Sequence, residues 1–182
     1  MKKLFVLAAF LFAFNFANAQ QMALGVGGNV FLPMGSFGDV VSMGFGGNAK
    51  FEYKLQQGLH LTGAVGYLTF SPKDDIIGWT YSVIPVLAGA KYYFSKGMPF
   101  YGMAEVGINF ASVTIKIPSY SFMGQTFGGG ESTASGSEFG FNFGAGYELP
   151  VGKSALDIYA KYQSFESSVA GINVGVAYKF GL

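Results

Sequence analysis

Few residues in this chain have the types and spacing that catalysis requires. His60 is the single histidine, and cysteine is absent, which removes thiol chemistry and disulfide bonds. Hydrolysis through a nucleophile needs a histidine base within hydrogen-bond reach of the nucleophile and of an orienting acid. The sequence offers His60 no plausible set of such partners. We therefore expect a histidine with a structural role and no enzymatic activity.

Two further patterns resemble ligand sites without completing one. The segment Gly152-Lys153-Ser154 matches the end of a phosphate-binding loop, but that motif requires a glycine five positions before Gly152, where Tyr147 stands. Acidic residues in polar segments are candidates for a divalent cation, because carboxylates are its preferred ligands. Solvated side chains are the ordinary interpretation of such residues, so we predict neither a metal nor a cofactor. These acidic candidates are Asp39, Asp74, Asp75 and Glu131.

The alternation of residue types indicates β-strands, and the end of the chain shows it best. Between Ile172 and Phe180, large apolar residues occupy every second position, and small or polar residues occupy the positions between them. Successive side chains of a strand point to opposite faces, so this strand has one apolar and one polar face. Repeated around a closed barrel, the pattern fits an outer wall that meets lipid and a polar interior. The apolar set is Ile172, Val174, Val176, Tyr178 and Phe180; the other set is Asn173, Gly175, Ala177 and Lys179.

Turn signals divide the chain after residue 21 into eight alternating segments. In this part of the chain no apolar stretch is long enough to cross a membrane as a helix, so any crossing must be made by strands. The sequence therefore predicts an all-β fold, an eight-stranded antiparallel up-and-down transmembrane β-barrel. The predicted strands cover residues 22–32, 43–55, 59–70, 80–94, 100–116, 137–149, 155–165 and 172–180.

The predicted connections alternate between short and long. Short turns and both ends of the barrel meet at one rim, which in outer-membrane barrels faces the periplasm. The longer segments 33–42, 71–79 and 117–136 meet at the other rim. The longest carries four apolar residues, which we expect either to bind an external partner or to fold back over the barrel mouth. This candidate recognition loop contains Tyr120, Phe122, Met123 and Phe127.

The N-terminus predicts export. Lys2 and Lys3 precede an apolar run at 4–14, and Ala17-Asn18-Ala19 fits a cleavage site. Residues 1–19 are therefore expected to be a cleaved secretory signal peptide. An uncleaved membrane anchor is the alternative.

Cleavage would leave residues 20–182 as one barrel domain. Without Lys2 and Lys3, nine of the 11 basic residues remain against ten acidic ones, a net charge of −1, and arginine is absent. Such a chain lacks the basic surface that nucleic acids require, so we expect no nucleic-acid partner.

The inward positions of the predicted strands carry charges of both signs. Eight strands enclose a space that side chains can just fill, and unpaired charges there are costly. We therefore predict a plug of paired charges; a narrow water path, helped by inward glycines, is the alternative. The predicted lumen charge network is Lys50, Glu52, Lys54, Lys91, Glu105, Glu148, Asp157, Lys161 and Lys179.

Pro85 interrupts the fourth predicted strand. Proline cannot donate a hydrogen bond to a neighbouring strand, so we expect a bulge or a local break there. Val83 and Leu87 share its inward face and are the one apolar feature of the predicted interior. A transporter of hydrophobic solutes would show a lateral gap in the wall or an apolar lumen, and these residues are the one hint of it.

The last strand matches the assembly signal of bacterial outer-membrane barrels in Asn173, Gly175, Tyr178 and Phe180. That signal usually ends a chain on an aromatic residue, whereas two further residues follow here. The segment 84–94 also resembles one that recurs in small outer-membrane barrels. On these features the chain resembles the eight-stranded OmpA-type or porin-family β-barrel domain.

The resemblance implies a location in the bacterial outer membrane, surrounded by its lipid. It also implies insertion by the barrel-assembly machinery after escort by periplasmic chaperones, and we expect a monomer. It does not imply one activity, because this fold hosts many. We expect a structural or surface-interaction role through the outer loops. The alternative function is a narrow porin-like or OmpW-like transporter of small or hydrophobic solutes, and the alternative architecture is a soluble ligand-binding barrel with the apolar residues inside.

Overall fold

Alternating residues fold the chain into one closed antiparallel sheet. The computed structural model describes residues 21–73, 78–95, 97–122, 125–166 and 169–181, so the predicted signal peptide lies outside the described residues. The elements are β1 (Met22–Met34), α1 (Gly35–Val40), β2 (Gly44–Gln56), β3 (Leu59–Phe70), β4 (Trp79–Tyr93), β5 (Phe100–Phe122), β6 (Gln125–Val151), β7 (Ser154–Glu166) and β8 (Val169–Gly181).

Each strand pairs with the next along the chain, and β8 pairs with β1 to close the barrel. The predicted eight-stranded antiparallel up-and-down barrel is therefore confirmed. The short helix α1 was not predicted; it follows β1 and is six residues long. Within the described residues, no helix has the length and apolar character needed to cross a membrane.

The outer face of the wall is apolar and its inner face is largely polar. On β8, Val174, Val176 and Tyr178 are exposed by 41–48%, whereas Asn173 and Ala177 are buried. Large apolar side chains normally fill the interior of a soluble protein, and here they cover the outside instead. This orientation fits a wall that meets lipid, and it excludes the soluble ligand-binding barrel with the apolar residues inside.

The interior next to the long connections is apolar, and this apolar region is larger than the inward Val83 and Leu87 had indicated. Phe31 stacks on Phe165 with ring centroids 5.0 Å apart, and Phe70 meets Phe31 edge-on at 5.3 Å. Phe37 of α1 lies over this group and contacts the Phe70 ring at 5.3 Å. Apart from Phe37 of α1 and Val41 after it, these residues lie at the outer ends of strands whose inward positions farther along include buried polar and charged side chains. The apolar cluster consists of Phe31, Phe37, Val41, Leu68, Phe70, Tyr81, Val83, Phe165 and Val169.

The wall is locally broken at Pro85, as predicted. The β3–β4 ladder pairs Val65 with Val86 and then Leu68 with Val83, and no paired residues lie between them. The register is the same on both sides, so this is a break rather than a bulge. On its other side, Pro85 pairs with Asn109 in an uninterrupted β4–β5 ladder.

The prediction of a loop at 117–136 is wrong, because the described residues of this range continue β5 and β6 as a long hairpin. Ile117 pairs with Gly130, and the described ladder runs on to the pair Phe122–Gln125. β-Branched residues in 113–117 favour an extended strand. The opposite strand, β6, is rich in glycine, serine and threonine. This composition is typical of a loop, although the residues pair as a sheet.

Inward glycines leave room where two strands approach closely, and this gives a test of the fold. A Cβ atom on Gly144 would lie 2.3 Å from the carbonyl oxygen of Ala160 and 2.5 Å from Cα of Lys161. Gly144→Ala should therefore lower the free energy of unfolding by about 1–3 kcal/mol, because the strands must move apart. The measurement is the urea concentration at which half of the refolded barrel is unfolded. The folded fraction is read from the heat-modifiable band on a gel.

Gly63→Ala is the matched control, because a Cβ atom there would meet nothing within 4 Å. We expect this variant to stay within about 0.5 kcal/mol of the parent chain. Equal midpoints for the two variants would contradict the close approach at Gly144.

Candidate functional site

A buried lysine lies at the centre of the charged half of the barrel. Lys91 of β4 is completely buried, and its Nζ atom forms ion pairs with carboxylates from three other strands. The distances are 2.8 Å to Asp157 and 3.1 Å to Glu148, and Glu52 is also in direct contact. Lys91 also lies over the ring of Tyr101, 4.2 Å from its centroid. One ammonium group thus joins β2, β4, β6 and β7.

Further donors complete the hydrogen bonding of these carboxylates. Lys179 of β8 pairs with Glu148 and lies 3.2 Å from Glu52. The hydroxyl of Tyr93 donates to Glu148 at 2.6 Å, and the hydroxyl of Tyr101 donates to Asp157. Buried ion pairs are stable only when additional hydrogen bonds satisfy their remaining atoms, and these tyrosines meet that requirement.

A second ion pair lies deeper in the barrel. Lys161 lies 2.9 Å from Glu105, and the side-chain amide of Asn142 donates to the same Glu105 oxygen at 3.0 Å. Lys50 is less well paired: its Nζ atom is 4.0 Å from Asp157 and lies over the Tyr159 ring at 4.8 Å.

Eight of the nine residues predicted for the lumen network thus meet inside the barrel, four lysines and four acids. Lys54 differs from the prediction. It shares the inward side of β2, but it is exposed at the rim and forms no ion pair among the described residues. It lies near the end of its strand, where the barrel opens to solvent.

The carboxylates of this network are not free to take a metal. Glu52, Glu148 and Asp157 offer oxygen atoms within 4.8 Å of one another, a geometry suited to a cation. The ammonium group of Lys91 contacts all three residues and therefore already supplies that positive charge. The sequence-derived candidates Asp39 and Glu131 are exposed at the opposite end of the barrel, and Asp74 and Asp75 lie outside the described residues.

His60 has the surroundings of a structural histidine. Its Nδ1 atom is 3.7 Å from Glu52, and its ring packs on Tyr93 with centroids 4.7 Å apart. It lies at the short-turn rim, where β3 begins after a tight turn.

A layer of side-chain amides separates the charged network from the apolar cluster. Asn29 donates to Asn173 at 3.0 Å, and Asn173 donates to Gln163 at 2.6 Å. Asn48 donates to the Tyr159 hydroxyl at 2.6 Å. Sequence reasoning did not assign this layer, although extending the inward alternation of each strand would have found it.

The predicted assembly residues lie on the strand that closes the barrel. Asn173 belongs to the amide layer, and Gly175 lies against Tyr159, whose hydroxyl would be 2.3 Å from an added Cβ. Tyr178 and Phe180 lie on the outward face with ring centroids 6.2 Å apart.

The predicted recognition residues that the structure describes lie in strands rather than in a loop. Tyr120 and Phe122 belong to β5, Phe127 belongs to β6, and Met123 lies outside the described residues. β6 pairs with β7 only from Phe141 onward, so residues 125–140 have β5 as their one strand partner in the described part of the chain.

An apolar outer wall, a charged interior, tight turns at one end and a long hairpin at the other define a small bacterial outer-membrane β-barrel. No family model matches the chain. Outer membrane protein X of Enterobacter cloacae is 28% identical over 137 residues, which cover 72% of this chain and 73% of that protein.

Two solved structures share the fold. The attachment invasion locus protein Ail of Yersinia pestis superposes with a TM-score of 0.60 at 14% identity, covering 88% of this chain and 99% of Ail. Neisserial surface protein A gives a TM-score of 0.58 at 15% identity, covering 88% and 97%. The chain is thus an eight-stranded barrel of the type found in the bacterial outer membrane.

Removal of the central ammonium tests the charged network. Lys91→Met leaves three buried carboxylates without their shared cation and should destabilise the barrel by about 3–5 kcal/mol. The measurement is the urea midpoint of unfolding in detergent micelles.

Lys54→Met is the control for the loss of one lysine, because Lys54 is exposed; we expect a change within about 0.5 kcal/mol. A Lys91→Met variant as stable as the control would show that the carboxylates do not depend on Lys91.

Proposed function

We propose that this protein acts at the cell surface as an interaction protein, and that the β5–β6 hairpin is its binding element. The observation that carries the proposal is the length of this hairpin. β5 has 23 residues and β6 has 27, whereas the other strands have 12 to 15. A span of lipid needs no more than about 9–11 residues per strand, so the excess projects beyond the membrane.

The projecting part is long enough to reach a partner. β5 pairs with β4 up to Ile115, and residues 116–122 continue beyond that pair. At about 3.3 Å per residue, these seven residues extend the hairpin by about 23 Å. Residues 125–140 of β6 present an edge that carries unpaired backbone groups on the β7 side. Such an edge binds an extended segment of another protein by adding it as a strand.

One face of β5 in the hairpin is apolar. Ile115 and Ile117 are exposed by 40% and 54%, and Val113 packs against the apolar cluster inside the barrel. The other face carries hydroxyl groups, among them Thr114 and Thr133, whose oxygens are 3.1 Å apart. Exposed apolar residues on a projecting element suit a protein interface.

The similar proteins support a role at the surface. One of them carries attachment and invasion in its name, and another is named as a surface protein. The structural neighbours resemble this chain at the level of the fold, so the partner itself is not inferred from them.

We also propose that the lumen is closed. The charged network, the amide layer and the apolar cluster follow one another along the barrel, and α1 lies over the last of these. Hydrated ions would have to displace paired charges and then cross a group of aromatic rings. The alternative of a narrow porin-like pore requires all three layers to open.

Two pairs of substitutions in the hairpin test the binding element. Ile115→Ser with Ile117→Ser should lower adherence of cells that display the protein by about fivefold or more, because a few side chains that become buried carry most of the binding energy of an interface. Adherence to cultured epithelial cells and cell–cell aggregation are the measurements, against cells without the protein.

Thr114→Ser with Thr133→Ser changes the opposite face of the same hairpin and should leave adherence unchanged. Both variants should retain heat-modifiable migration on gels. If the isoleucine variant adheres as well as the threonine variant, or if the parent chain confers no adherence or aggregation, the proposed role is wrong.

Planar-bilayer recording tests the closed lumen. The purified barrel should give no stable conductance step under conditions in which a reference porin conducts, because charged and aromatic layers block the path in series. A reproducible conductance of uniform size would favour the pore.

A further inference from the structure

The periplasmic mouth of the barrel forms a basic vestibule. It has a volume of about 250 Å³ and lies between the start of β1, the end of β2 and the β6–β7 turn. Four side chains that can carry positive charge line it: Lys54, His60, Lys153 and Lys179. The tight turn that presents Lys153 depends on Gly152, whose φ of 63° is unfavourable for other residues.

The vestibule carries an excess of positive charge. Among its described lining residues Glu52 is the one carboxylate, and it is already paired with Lys91 and Lys179. Lys54 and Lys153 are exposed and form no ion pair among the described residues. Because the four lysines and four acids inside the barrel balance one another, the charges of Lys54 and Lys153 are not compensated locally.

The chemistry of the lining matches an oxyanion. Ammonium groups form strong charge-assisted hydrogen bonds with oxyanions, and lysine is a common ligand of phosphate. Lys54 lies near the end of β2 and Lys153 lies in the β6–β7 turn, and both line the vestibule together with Ser154. An anion with several acceptor oxygens suits donors that come from separate elements. The short-turn rim also lies near the headgroups of the periplasmic leaflet, where lipid phosphates are abundant.

We propose that this vestibule binds a phosphate group. Its source is either a phospholipid headgroup of the periplasmic leaflet or a soluble phosphate compound of the periplasm. This site is independent of the surface hairpin, which lies at the opposite end of the barrel. A negative result for phosphate binding would therefore leave the proposed role of the hairpin untouched, and the reverse also holds.

Nuclear magnetic resonance of the mature chain tests the site in two arms. In maltoside micelles, inorganic phosphate is added at constant ionic strength, with sodium chloride as the balancing salt. In nanodiscs without added phosphate, phosphatidylcholine is compared with phosphatidylcholine that contains phosphatidylglycerol. In both arms the backbone amides around Lys54 and Lys153 report binding.

We expect saturable amide shifts in at least one arm. K54Q and K153Q should each weaken binding about threefold to fivefold, the scale of one exposed charge interaction. K116Q removes an exposed lysine at the opposite end and should leave binding unchanged.

The pattern of shifts identifies the source. Shifts with inorganic phosphate support a soluble compound, and shifts with phosphatidylglycerol alone support a lipid headgroup. Absence of saturable shifts in both arms, shifts reproduced by chloride, or shifts unchanged in the K54Q/K153Q double variant would overturn the proposal.

Discussion

Every charge in the membrane-spanning part of this barrel must face a space barely wide enough for side chains. Lipid excludes charge from the outer face, and eight strands leave little room within. The interior therefore holds four lysines and four acids, and Lys91 contacts three carboxylates at once. Glycines make room for these long side chains: Gly144 lies against Lys161, and Gly146 lies under Tyr101. Charge pairing and inward glycines are thus two consequences of one constraint.

The strands could be predicted because alternation has a period of two whatever the partner strand is. The identity of the ion pairs could not, because the contact of Lys91 with Asp157 depends on register and shear between β4 and β7. The apolar cluster could have been predicted from the sequence, because Phe31 and Phe165 occupy the same alternating positions as the inward polar residues of their strands. The hairpin was missed because its glycine and serine content resembles that of a loop.

The interior changes character along the barrel axis, and each change suits its location. The charged half opens toward the tight turns, where Lys54 and Lys153 meet solvent. The amide layer in the middle is linked by hydrogen bonds between Asn29, Asn173 and Gln163. The aromatic end carries α1 and leads directly into the apolar face of the hairpin through Val113. The surface element is therefore anchored on a packed core rather than on a flexible loop.

The edge of β6 that lacks a second partner strand affects how copies of this protein can contact one another in the membrane. An uncovered strand presents backbone groups that can pair with another strand, including the same strand of a second copy. Glu131 and Glu138 are exposed on this strand, on opposite faces because they are seven positions apart, and Glu131 lies opposite Lys116 of β5. Like charges on adjacent strands oppose pairing. Registers that would place Glu131 or Glu138 opposite its own copy are therefore disfavoured.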